Sequence, residues 1–106
     1  MIALSRILRY TDDGGLIFWC PGCNSAHRVM VGYGEGPRWS YNGDPDKPTF
    51  NPSIRVTYNG SDADKPDRIP SCCHSFVTDG RIEFCSDSTH SLAGQTVEIP
   101  PWDEHL

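Results

Sequence analysis

Leu16-Ile17-Phe18-Trp19-Cys20-Pro21-Gly22-Cys23, with His27 four residues further on, is the stretch that decides how this chain folds. Its first four residues are rich in β-branched and aromatic side chains and read as a strand. The strand runs straight into a turn. Pro-Gly between two cysteines closes tightly, so both thiolates point at one spot and backbone N–H groups can donate to the sulfurs. Arg28-Val29-Met30-Val31 reads as the return strand. Strand, C-x-x-C turn, strand is the outline of a zinc-ribbon knuckle. Zinc takes such a pair at about 2.3 Å per sulfur, within a tetrahedron of four ligands. One C-x-x-C is therefore half a site. The remaining candidates are His27 nearby and Cys72, Cys73, His74, Cys85 and His90 far downstream. A metal shared over that distance ties the two halves of the chain together.

A length of 106 residues implies one domain, residues 1–106, with a modest core that a metal or disulfide would staple. Five cysteines cannot all pair with one another. The start, Met1-Ile2-Ala3-Leu4-Ser5-Arg6, has no apolar run of the signal-peptide kind, and no stretch approaches the roughly 18 apolar residues of a membrane span. The expected setting is the cytoplasm, with reduced thiols, where C-x-x-C means metal or redox chemistry. Metal is preferred, because no βαβ pattern surrounds the motif. The net charge of −5 and the scattered Lys and Arg argue against a nucleic-acid partner.

Working outward, residues 2–10 support a short helix or a strand, and Thr11 to Gly15 is a turn. Gly32 to Gly36 is loop, and Trp39-Ser40-Tyr41 is a short strand before the turn at Asn42-Gly43-Asp44. Pro48 and Pro52 bracket a short extended piece. Ile54, Val56 and Tyr58 alternate with Arg55 and Thr57, as in a half-buried strand. Residues 61–71 are charged and read as a surface loop. Asp79-Gly80 is a strong hairpin signal. A two-residue turn there pairs Thr78 with Arg81, Val77 with Ile82, Phe76 with Glu83, Ser75 with Phe84 and His74 with Cys85. Cys73, Ser75, Val77, Ile82 and Phe84 then share one face, and His74 lies on the other. Gln95 to Ile99 is a last strand, ended by Pro100-Pro101. The expected fold is mostly β: a small single domain of short antiparallel strands with a zinc-ribbon-like knuckle.

The ordered set Phe18-Trp19-Cys20-Pro21-Gly22-Cys23 with His27, Pro48-Thr49-Phe50, Pro52-Ser53-Ile54, Cys73-His74-Ser75-Phe76-Val77, Asp79-Gly80-Arg81-Ile82, His90 and Ala93-Gly94-Gln95-Thr96-Val97 with Pro100 resembles a small family, domain of unknown function 6527. The likeness covers residues 16 to 100. Members of that family occur in phages and prophages, and some lie beside bacterial ubiquitin-like conjugation genes with an associated peptidase role. The resemblance therefore implies a hydrolase acting on an extended peptide or the tail of a ubiquitin-like protein. It implies the host cytoplasm if the chain is phage-encoded. Cys72 and Cys85 look like additions to the pattern.

The residue chemistry is compatible with that activity. For zinc, Cys20 and Cys23 are joined by Cys73, on the apolar side of its hairpin, with His27 or His90 fourth and His27 preferred. A buried Cys73 would also serve as a small hydrophobe. Ser53, after a proline, is a turn or cap residue in one reading and a nucleophile in the other. A nucleophilic serine needs a base within hydrogen-bond reach and a group that orients the base. His74 is available as base, with Asp87 or His90 to orient it or bind substrate. Neither G-x-S-x-G nor H-E-x-x-H is present. Zinc with an open site and a bound water is another route to hydrolysis, but the two-Cys knuckle leans toward a closed structural site. The alternative function is a non-catalytic, zinc-stapled interaction module, such as a phage accessory protein that binds a host factor.

Overall fold

The computed structural model of the protein describes residues 2–32, 34–58 and 71–102. Among the described residues, nine strands form two antiparallel sheets. The first sheet holds β1 (Ile2–Ala3), β2 (Arg9–Tyr10), β3 (Gly15–Cys20) and β4 (Ser25–Met30), in that order. The second holds β5 (Ser40–Tyr41), β6 (Phe50–Tyr58), β7 (Ser71–Thr78), β8 (Arg81–Phe84) and β9 (Thr96–Glu98), also in chain order. No described residue lies in an α-helix. The mostly β expectation holds. Residues 2–10 resolve the choice between helix and strand in favour of two short strands.

Alternation sets the core. In β3, Leu16, Phe18 and Cys20 point inward, and in β4, His27 and Val29 do so. The pairings Leu16 with Val29 and Phe18 with His27 put these on one face. In the second sheet, Cys73, Ser75, Val77, Ile82 and Phe84 are buried, and Phe50 and Ile54 join them from β6. Side chains of both sheets make one cluster, with Phe18 stacked on Phe50 at 6.2 Å between ring centroids. Burying each such ring contributes about 1.5–3 kcal/mol. The pattern needs a period of two, and a one-residue slip in β7 would exchange Cys73 for His74 in the core.

The Ser71–Phe84 hairpin has the expected register, with Ser75 opposite Phe84, Phe76 opposite Glu83, Val77 opposite Ile82 and Thr78 opposite Arg81. Asp79 and Gly80 both take positive φ, 50° and 77°, as a tight two-residue hairpin turn requires. The turn is docked on Pro48 and Thr49. Gly80 N–H donates to the Pro48 carbonyl at 2.9 Å, and Asp79 N–H to Thr49 Oγ1 at 2.9 Å.

Several boundaries differ from the sequence reading. β4 starts at Ser25 rather than Arg28, because the knuckle is tight enough for Cys20 to pair with Ser25. β6 begins at Phe50 rather than Ile54. Pro52 is tolerated because the ladder is interrupted there: Phe50 pairs with Val77 and Ile54 with Ser75, so β6 carries two extra residues between these pairs. Ser71, placed at the end of a loop from sequence, opens β7. The rest of the expected 61–71 loop lies outside the described residues, as does His105, which reads from sequence as a solvated residue near the end of the chain.

Candidate functional site

Two clusters of chemistry-bearing side chains flank β7, one on each face. Inward-facing Cys73 meets the knuckle. Cys20, Cys23, His27 and Cys73 each bring a ligand atom within 4.8 Å of the others, and three of the four are buried. The elements explain the convergence. Cys20 ends β3, Cys23 lies in the turn, and His27 is the inward residue of β4 beside Phe18. Cys73 reaches them from the second sheet.

The donor set fits a metal on three counts. First, the Cys20 and Cys73 sulfurs are 3.9 Å apart. Two Zn–S bonds of about 2.3 Å at a tetrahedral angle separate their sulfurs by about 3.8 Å. Second, His27 Nε2 is buried without a hydrogen-bond partner among the described residues. Third, the electrostatics ask for a cation. Burial pulls the His27 pKa down, but the Cys20 and Cys23 sulfurs outweigh it and push it up to about 9. The same sulfurs, with burial added, push the Cys73 thiol up. Three thiols gathered in a dry site cannot all ionise unless a cation compensates them. None of the five cysteines is in a disulfide.

His90 belongs to this face and stands beside the cysteines rather than beside Ser53. Its Nδ1 accepts the Leu92 N–H at 3.2 Å. The neutral ring then carries its proton on Nε2, which donates to the Cys73 sulfur at 3.4 Å. The ring packs edge-on to Phe84 at 4.5 Å and fills the space where a Cβ on Gly22 would stand, 2.4 Å from the ring. The glycine of the knuckle is thus the residue that lets the imidazole approach.

On the outward face of β7 lies the second cluster. His74 Nε2 is 3.0 Å from Ser53 Oγ, and His74 Nδ1 is 3.2 Å from both carboxylate oxygens of Asp87. A carboxylate only accepts, so Nδ1 carries the proton and Nε2 offers its lone pair to the serine hydroxyl. Ser53 is the last of the extra residues before β6 resumes pairing at Ile54. Trp39 Nε1 donates to its carbonyl at 3.2 Å and holds the backbone there. His74 is clamped through its own backbone. Its N–H donates to Ser88 Oγ at 3.0 Å, and that hydroxyl donates to the His74 carbonyl at 2.9 Å. Ser88 N–H closes a turn on the Cys85 carbonyl at 3.0 Å, and this turn sets Asp87 beside the imidazole. The His74 side chain is 26% exposed and that of Asp87 55%, so the pair is open to solvent. It adds little to stability and serves to orient the ring.

Ser53, His74 and Asp87 are thus brought together, while His90 is not with them. Trp39 and Ser88 are the supporting residues that sequence reading missed. No local motif marks either one, since both act through main-chain groups of partners distant in the sequence.

Residues 3–85 match the family model of the bacterial ubiquitination-like system serine protease, BubE. The span includes Ser53, His74 and the four clustered Cys and His residues; Asp87 lies just beyond it. No curated protein and no solved structure matches the chain. With most of its length covered by that match, the chain belongs to the BubE family of serine proteases of bacterial ubiquitination-like systems.

Proposed function

We propose that Ser53 is the nucleophile of a peptidase, His74 its general base and Asp87 the residue that orients the base. The observation that carries this is the chain of contacts from Ser53 Oγ to His74 Nε2 and from His74 Nδ1 to Asp87. In the first step Nε2 takes the Ser53 proton while Oγ bonds to the scissile carbonyl carbon. The imidazolium then returns that proton to the departing amine, leaving an acyl-serine that water hydrolyses by the same base. Asp87 fixes the tautomer and stabilises the imidazolium between the two transfers.

The site suits an extended peptide. It sits on an open sheet face, with Phe76 44% exposed and its ring 6.1 Å from that of His74. A protein is the substrate class that the family implies, and the tail of a ubiquitin-like protein is the first to test. Cys20, Cys23, Cys73 and His27 would hold zinc as a structural staple between the sheets. Four protein ligands leave no open position for a metal-bound water, so hydrolysis is assigned to the serine side. The chain would work in the cytoplasm, where its thiols stay reduced.

The test is cleavage of ubiquitin-like proteins carrying short C-terminal extensions. Ser53→Ala and His74→Ala should each abolish cleavage with zinc content unchanged. The double variant should lose no more than either single one, because nucleophile and base act as a unit. Full cleavage by Ser53→Ala would refute the assignment.

A further inference from the structure

Cys85 takes part in neither constellation above, yet it stands directly across the hairpin from His74. Its N–H donates to the His74 carbonyl at 2.8 Å. A ring nitrogen of His74, the Cys85 sulfur and a carboxylate oxygen of Asp87 all lie within 4.8 Å of one another. We propose that His74, Cys85 and Asp87 form a second, solvent-accessible zinc site, and that zinc bound there switches off the Ser53–His74 pair. The inhibitory part rests on the catalytic assignment made above; the binding part does not.

The cluster has the composition of an exchangeable site. Imidazole, thiolate and carboxylate are all zinc ligands, and three protein ligands leave a fourth position for water. The backbone holds the ligands in place. His74 lies on β7 and Cys85 directly follows β8, its N–H bonded to the His74 carbonyl, and the turn from Cys85 to Ser88 is hydrogen-bonded to the His74 main chain. The site shares no residue with the cysteine cluster, because Cys73 and His74 face opposite sides of β7.

Inhibition follows from which lone pair the metal uses. Zinc on Nδ1 replaces the proton that Asp87 accepts, so the neutral ring must keep its proton on Nε2, which then cannot accept one from Ser53. Zinc on Nε2 blocks that lone pair directly. In either case Cys85 releases its thiol proton to solvent on coordination, and no redox change is involved.

The experiment is a titration of the purified, zinc-loaded protein with zinc chloride in a non-thiol reductant, for wild type, Cys85→Ser and Asp87→Asn. Wild type should bind one equivalent more than either variant. Its peptidase activity should fall over the same zinc range, whereas Cys85→Ser should need at least about tenfold more zinc for equal inhibition. Circular dichroism confirms that the variants are folded. Equal stoichiometry in wild type and Cys85→Ser would overturn the proposal. So would an extra equivalent that leaves wild-type cleavage unaffected. An extra equivalent on a chain that cleaves no peptide would instead uphold the metal site and sink the catalytic assignment.

Discussion

Replacing Cys73 with alanine separates a metal-stapled domain from one held by its core alone. The Cys73 sulfur is the only one of the four clustered ligand atoms that comes from the second sheet. Structural zinc in small domains is worth about 10–16 kcal/mol of apparent binding free energy, and a quarter of that is about 2.5–4 kcal/mol. Whole-domain stability is about 5–15 kcal/mol. For a domain of this size each kcal/mol moves the melting temperature by about 4–8 °C. Cys73→Ala should therefore lower Tm by at least about 10 °C and release the metal. Without a metal, the change only trims a buried side chain that is 1% exposed. That costs about 1 kcal/mol, or a few degrees. The assay is thermal unfolding by circular dichroism together with elemental analysis of zinc per chain. The neighbouring Cys72→Ser serves as a control expected to melt like wild type. A Cys73→Ala protein that melts within about 5 °C of wild type with the same zinc content would refute the bridge.

Asp87→Asn should lower kcat by about 10²–10⁴ with little change in KM, because an amide can leave the wrong nitrogen of His74 protonated; steady-state kinetics with a folded-state check reads this. His90→Ala removes the donor to the Cys73 sulfur and should weaken zinc affinity by about 10–100-fold, measured by competition with a chelator. Gly22→Ala should act in the same direction, since its Cβ would stand 2.4 Å from the His90 ring. If that variant binds zinc as tightly as wild type, the knuckle and His90 are not coupled.

What sequence could and could not reveal divides along local and non-local lines. Asp79-Gly80 specifies a turn, and period two then carries Cys73 and His74 to opposite faces, so the hairpin register was legible. The knuckle was legible too, although its return strand starts at Ser25 because pairing resumes immediately after the turn. The context of Ser53 was not. Its outward position depends on the two extra residues in β6, which arise from a mismatch with β7 that appears only when the strands are paired. The choice between Asp87 and His90 as partner of His74 was equally non-local. The turn from Cys85 to Ser88 folds back on β7 and leaves Asp87 outside, while His90 passes to the cysteine side. Sequence leaves His27 and His90 both open as the fourth ligand; the fold puts His27 within the cysteine cluster and His90 beside it, donating to the Cys73 sulfur.

The central claim, that Ser53 is an activated nucleophile, is tested most directly by labelling with a fluorophosphonate and mapping the adduct by mass spectrometry. Wild type should gain one adduct per chain, on the peptide containing Ser53. Ser53→Ala should gain none, and His74→Ala should be labelled far more slowly. A wild-type protein that cleaves its substrate while Ser53 stays unmodified, or that is labelled equally well without His74, would contradict the account.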